Sequence, residues 1–260
     1  MLWGMNEAVL LLGGIAAFLI AIEVGFRLGK RHLAPDDTEL AGHVSALQSA
    51  LLGLLALLLG FTFAMSISRY DVRKQLVLQE ANAIGTAYLR ASFLPDPQEE
   101  QVRGLLRDYV DARLAFFAAG VDPEKLAAAA RTAAGLEERL WRQAEAATLA
   151  PVNPVAVGLF VQSLNDVIDV NEERQVALEN HVPETVIALL FLVAVISMGF
   201  TGYGYGLQGR RRHASTAVFA VLIAVVLVVI MDIDRPRRGL ITVSQSSLER
   251  LQTSVLEPAP

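Results

Sequence analysis

Four apolar stretches, roughly Ala8–Phe26, Ala46–Ile67, Thr185–Gly206 and Ala214–Met231, constrain this chain more than any motif within it. Each approaches the ~20 residues that an α-helix needs to cross a ~30 Å hydrocarbon core. The chain is therefore expected to be an all-α, four-transmembrane-helix integral membrane protein. Its hydrophobic content of 53% and mean hydropathy of +0.44 are too high for a soluble domain of this size, and the excess sits in blocks. The predicted organisation is two spans in 1–67, a helical extramembrane domain in 68–183 that includes an extension of the second span, two spans in 184–231, and a tail in 232–260.

The formal net charge of −5 does not favour nucleic acid, which calls for a basic face. The absence of cysteine excludes disulfides, thiolate metal sites and cysteine nucleophiles, and leaves the redox compartment open. Met1–Glu7 carries no Lys or Arg, so the first span lacks the basic leader of a signal peptide and reads as a retained anchor. No lipidation signal is present.

Pro35–Glu39 reads as a turn and a helix start, and no proline follows until after Leu94. Apolar residues continue at helical spacing beyond the second span, through Tyr70, Val72, Leu76, Ile84 and Tyr88. One helix of ~50 residues, ~75 Å long, is expected. Asp96-Pro97, Asp122-Pro123 and Asn153-Pro154 each place a capping acceptor before a proline suited to the first helical position. They predict helices over about 97–119, 123–149 and 154–181. Leu105, Leu106, Tyr109, Leu114, Phe116 and Phe117 suit a bundle core or, alternatively, an oligomer interface. A short helix is expected around Ser247–Leu256, and Glu257–Pro260 is expected to be disordered.

Four spans place both termini and the insert on one side and the short loops 27–43 and 207–213 on the other. The short loops hold Arg27, Lys30, Arg31, Arg210, Arg211 and Arg212; the opposite side holds Arg69, Arg73, Lys74, Arg235, Arg237 and Arg238. The positive-inside rule slightly favours cytoplasmic short loops, by a small margin. Glu23 lies near the end of the first span. It is either a functional intramembrane acid or an interface residue paired with Arg27 at i+4.

The second span reads Gly60-Phe61-Thr62-Phe63-Ala64-Met65-Ser66-Ile67-Ser68-Arg69-Tyr70. This resembles bestrophin anion channels, whose second helix carries Gly-Phe, then six residues, then Ser/Thr-Arg-aromatic. Glu80-Ala81-Asn82-Ala83-Ile84-Gly85 and Met231-Asp232-Ile233-Asp234-Arg235-Pro236, followed by Gly239-Leu240-Ile241, are similar to a bacterial membrane family labelled bestrophin-like, over nearly the whole chain. The resemblance implies a homopentamer in the cell membrane (here the bacterial inner membrane), with a long central helix lining a pore for inorganic anions such as chloride. It carries the pore constriction onto Gly53, Leu57 and Phe61, whose i, i+4, i+8 spacing shares one helical face. Gly53 departs from the pattern, since it supplies no bulky gate. The family's acidic calcium clasp is reduced to Asp232 and Asp234, a possible cation site beside Arg235. The resemblance also implies a cytoplasmic insert, against the charge count, so the side stays open.

Arg69, Arg73 and Lys74 follow the second span and could form a basic ring at a pore mouth in an oligomer, or simply anchor the helix at the interface. Thr201-Gly202-Tyr203-Gly204 resembles part of a potassium filter. It lacks the valine and ends a span, so close packing by small residues explains it better. Asp166, Asp169, Glu172 and Glu173 read as a solvated face, or as partners for Arg73, Lys74 and Arg90, in preference to a cation site. His32, His43, His181 and His213 have no metal spacing, and no catalytic motif is present. No metal or cofactor is implied. The leading expectation is an oligomeric, anion-permeable channel with the second span lining the pore. The runner-up is a non-conducting membrane scaffold or sensor whose helical domain binds a partner. An intramembrane enzyme, which would require Glu23, ranks third.

Overall fold

The computed structural model describes residues 6–32, 38–149, 153–209 and 211–253. Among them every regular element is helical. The order is α1 (Glu7–Arg31), α2 (Thr38–Arg90), a 3-10 turn (Ala91–Phe93), α3 (Gln98–Ala118), α4 (Pro123–Thr148), α5 (Pro154–Glu179), α6 (Glu184–Leu207), α7 (His213–Ile233) and α8 (Ser246–Leu251). Four segments are long and apolar enough to cross a membrane, and they contain α1, α2, α6 and α7. The long second helix exists as one uninterrupted rod of 53 residues. The expected turn at 35–37, the basic residue Arg210 and the expected disorder at 257–260 lie outside the described residues.

The caps explain where two of the three insert helices start. Asp122 accepts hydrogen bonds from the N–H groups of Glu124 (3.1 Å) and Lys125 (3.3 Å), and those bonds hold its carboxyl below the usual carboxylate range. Asn153 accepts from Val155 N–H at 2.9 Å. Each such cap stabilises its helix by about 1 kcal/mol. The third start differs from expectation. Pro97 itself is the N-cap, no side chain caps the helix, and the first helical residue is Gln98. Gly120, at φ 58°, ends α3 in the left-handed conformation that a Cβ disfavours.

The chain clusters into two compact units: Met1–Ser68 with His181–Arg235, and Arg69–Asn180 with Pro236–Pro260. The tail expected as one segment, 232–260, is thus divided, because Val243, Leu248 and Leu251 bury their side chains in the second unit's core.

In the first unit α1 and α6 meet backbone to backbone. A Cβ on Gly25 would strike the carbonyl oxygen of Gly199, and one on Gly202 would strike that of Ile22. Gly29 and Gly206 are equally close to the facing helix. Small residues at such a crossing let two membrane helices approach. This explains Gly202 and Gly206 of α6, whereas Gly204 faces Val44 and Gln48 of α2. The run lies within unbroken helix, where Thr201 donates back to Ser197 O at 2.8 Å. Phe18, Leu55, Leu59, Leu190, Ala194, Met198, Ala220 and Ile230 complete this unit's core.

The second unit packs the distal part of α2 against α3, α4 and α5. Val77, Ile84 and Ala87 meet Leu106, Tyr109, Leu140, Phe160 and Leu164, all of them buried. Leu105 and Phe116 are buried as well, whereas Leu114 and Phe117 are half-buried.

Candidate functional site

The membrane part of α2 has two unlike faces. One carries Leu55, Leu59, Thr62 and Ser66, all buried against the chain's own helices. Their 4-3-4 spacing is the seam of a packed helix. The other face carries Gly53, Leu57 and Phe61. Leu57 is 55% exposed and Phe61 64%, and a Cβ at Gly53 or Gly60 would meet nothing within 4 Å. The three residues singled out for a constriction therefore share one outward stripe of the single chain, which its own fold leaves uncovered.

The basic residues beyond the span behave differently from one another. Arg69 donates from Nη1 to Asn180 Oδ1 at 2.9 Å and is half-buried. Lys74 is exposed. Arg73 departs from the expected mouth ring. It is only 3% exposed and donates from Nε to Ala177 O and from Nη2 to Asn180 O, both at 2.9 Å. It thus serves the orphan carbonyls at the end of α5, where a cation is also favoured by the helix dipole. Arg90 likewise bonds the carbonyl of Leu159 rather than an acidic side chain, at 2.9 Å. Asp166, Asp169, Glu172 and Glu173 are exposed, as a solvated face would be.

Glu23 is paired within its own helix: Arg27 Nε donates to its carboxylate at 2.7 Å, and Arg211 approaches to 3.5 Å. Arg211 also stacks over Phe26, 4.4 Å from the ring centre. These contacts fit an interface pair.

Asp232 and Asp234 do not form the open oxygen cluster that a cation requires. Asp234 is fully buried and accepts from Val182 N–H at 2.7 Å, while His181 Nδ1 lies 3.4 Å from the same carboxylate. Asp232 interacts with Glu7 across the bundle. Among the described residues no three His, Asp or Glu side chains converge as a metal site would need. Asp234 instead ties the end of α7 to the segment entering α6, and Asp232 faces the start of α1.

A buried charge cluster in the second unit is absent from the sequence reading. Glu80, on α2, is fully buried and receives Arg113 Nε at 2.5 Å; its other oxygen pairs with Arg174 Nη1. Its position was a signal, because Glu80 shares a face with Val77, Ile84 and Ala87 at i−3, i+4 and i+7. A charge at such a position requires a buried partner.

A family model for a bestrophin-like domain matches residues 10–248. No curated protein matches the chain. Among solved structures, a bacterial bestrophin homologue from Klebsiella pneumoniae superposes with TM-score 0.68 at 16% identity, covering 98% of this chain and 100% of that one. A single-substitution variant of a bestrophin homologue from the same bacterium gives TM-score 0.65 at 16% identity, covering 95% and 97%. A crystal structure described as a membrane protein gives TM-score 0.69 at 14% identity, covering 98% and 100%. At these identities the likeness establishes the fold.

Proposed function

We propose that this chain, which belongs to the bestrophin-like family, is an oligomeric membrane channel permeable to small anions such as chloride, with α2 lining the pore. The observation that carries this reading is the uncovered stripe of Gly53, Leu57 and Phe61 opposite a well-packed seam. A helix so committed on one side and bare on the other has two options: lipid, or other copies of itself arranged around an axis. Small residues on the bare side (Gly53, Ala56, Gly60 and Ala64) allow copies to approach, and Leu57 and Phe61 supply the apolar ring at which a narrow pore gates by dewetting. Arg69 and Lys74 follow on the same helix and place positive charge near its exit, which enriches anions. Family resemblance suggests five copies in the bacterial inner membrane. No step of this function needs a cofactor or a catalytic group.

The exposed apolar residues Val72, Leu78, Leu89 and Val155 favour a second reading, in which the helical unit binds a partner and the membrane part does not conduct. Anion efflux from proteoliposomes separates the two. A Leu57→Ser substitution wets the constriction, so efflux is expected to rise severalfold over wild type. Unchanged efflux in a folded Leu57→Ser oligomer would favour the partner-binding reading.

A further inference from the structure

The Glu80 cluster carries more positive charge than it can neutralise. Three guanidiniums converge on the edge-to-face pair Phe116 and Phe117, whose ring centres lie 5.8 Å apart. Arg237 sits 4.1 Å over Phe116, Arg113 5.4 Å from the same ring, and Arg174 4.3 Å over Phe117. Against them stands one buried carboxylate, Glu80, already shared by Arg113 and Arg174. Glu137 is the next acid, and its carboxylate accepts from Tyr109 O–H and Asn171 Nδ2, each at 2.8 Å. Even with Glu137 counted, one positive charge is left over.

The donors show the same excess. Arg113 is 1% exposed, yet its Nη2 has no hydrogen-bond acceptor; neither has the buried Nε of Arg237. An unpaired buried guanidinium is costly and ordinarily recruits a counter-charge. Stacking on the two rings offsets part of that cost and leaves the donors unused. Burial, with Arg237 nearby, brings Arg174 down to about 9, and burial together with Arg113 lowers Arg237. On the Arg174 side of the cluster, next to the rings but not lined by Arg113 or Arg237, a cavity of about 10 Å³ opens between Arg73, Arg174, Phe117, Leu76, Val77 and Val243. Space on that scale, about one water-sized particle, favours a monatomic anion over phosphate or sulfate.

We infer that the helical unit holds a fixed halide-sized anion, bound by the spare guanidinium donors of Arg113 and Arg237 beside Phe116 and Phe117, with the positive charge of Arg174 close by. Arg237 comes from the tail, after α7, whereas Arg113 and Arg174 come from α3 and α5. Occupancy therefore fastens the tail to the bundle, which Gln245 also does by accepting from Arg174 Nη2 at 2.9 Å. The site does not depend on the pore reading.

The test is thermal unfolding of the purified full chain in detergent, with chloride titrated against gluconate at constant ionic strength. A single site predicts saturable linkage: above its dissociation constant, each tenfold rise in chloride raises the Tm by about 3–6 °C. In Arg237→Gln that slope is expected to be lost, and in Arg131→Gln, an exposed arginine on α4, it is retained. Crystals grown in bromide should show one anomalous peak between Arg237 and Arg113. Equal Tm in chloride and gluconate, or a chloride slope that survives Arg237→Gln, would overturn the proposal. So would bromide crystals without that peak. Because neither readout measures flux, failure here leaves the channel reading intact.

Discussion

Replacing Glu80 with glutamine is expected to destabilise the protein by about 4 kcal/mol, because it leaves Arg113 and Arg174 buried without a counter-charge. The side chain keeps its size, so packing is preserved and the loss isolates the charge. A matched Glu172→Gln change on the exposed face of α5 is expected to stay within about 0.5 kcal/mol of wild type. Melting followed by circular dichroism in detergent measures both. Exchanging Glu80, Arg113 and Arg174 together for methionine should recover much of the loss, since apolar replacements of a buried ionic group are often neutral or better. A Glu80→Gln protein as stable as wild type would mean that the cluster is hydrated and its charges are screened.

The second large effect concerns the crossing of α1 and α6. A Gly202→Val substitution puts a branched side chain against the backbone of Ile22, where not even a Cβ fits. The neighbour is main chain and cannot rotate away, so the two helices must separate. The expected cost is about 3 kcal/mol or more, with loss of folded protein on size-exclusion chromatography. Gly135→Ala is the counterpart on α4, where a Cβ meets nothing within 4 Å. It should stabilise by about 0.5–1 kcal/mol, through helix propensity alone. If Gly202→Val folds and melts like wild type, the close crossing is not part of the native packing.

These two sites also mark how far the sequence was legible. The spans, the 53-residue helix and the Asp122 and Asn153 caps follow from local rules: apolar block length, 3.6-residue spacing, and an acceptor placed before proline. The glycines of α6 were legible as packing residues, because small side chains in a lipid-embedded helix have few other uses. Pairings distant in sequence were not legible. Nothing near Arg73 indicates that it serves carbonyls more than a hundred residues away, at Ala177 and Asn180. Asp232 and Asp234 read as open acids, because a sequence does not show that Val182 and His181 return to meet Asp234. Pro97 misled as well: the helix beginning after it needs no side-chain cap, so the Asp-Pro rule placed its start one residue early. The outward stripe of α2 was legible as spacing, while its exposure is a property of the fold.

The central claim is that this stripe borders an ion pathway, and the chain's lack of cysteine makes a direct measurement possible. Phe61→Cys and Leu55→Cys variants are reconstituted separately, and anion efflux is recorded before and after a negatively charged, membrane-impermeant thiol reagent. Phe61 faces outward and Leu55 is 1% exposed against the chain's own helices. The reagent is predicted to block efflux through Phe61→Cys and to leave Leu55→Cys and wild type unchanged. Efflux no greater than from empty liposomes, or efflux through fully labelled Phe61→Cys that continues undiminished, would contradict the assignment of α2 as the pore helix.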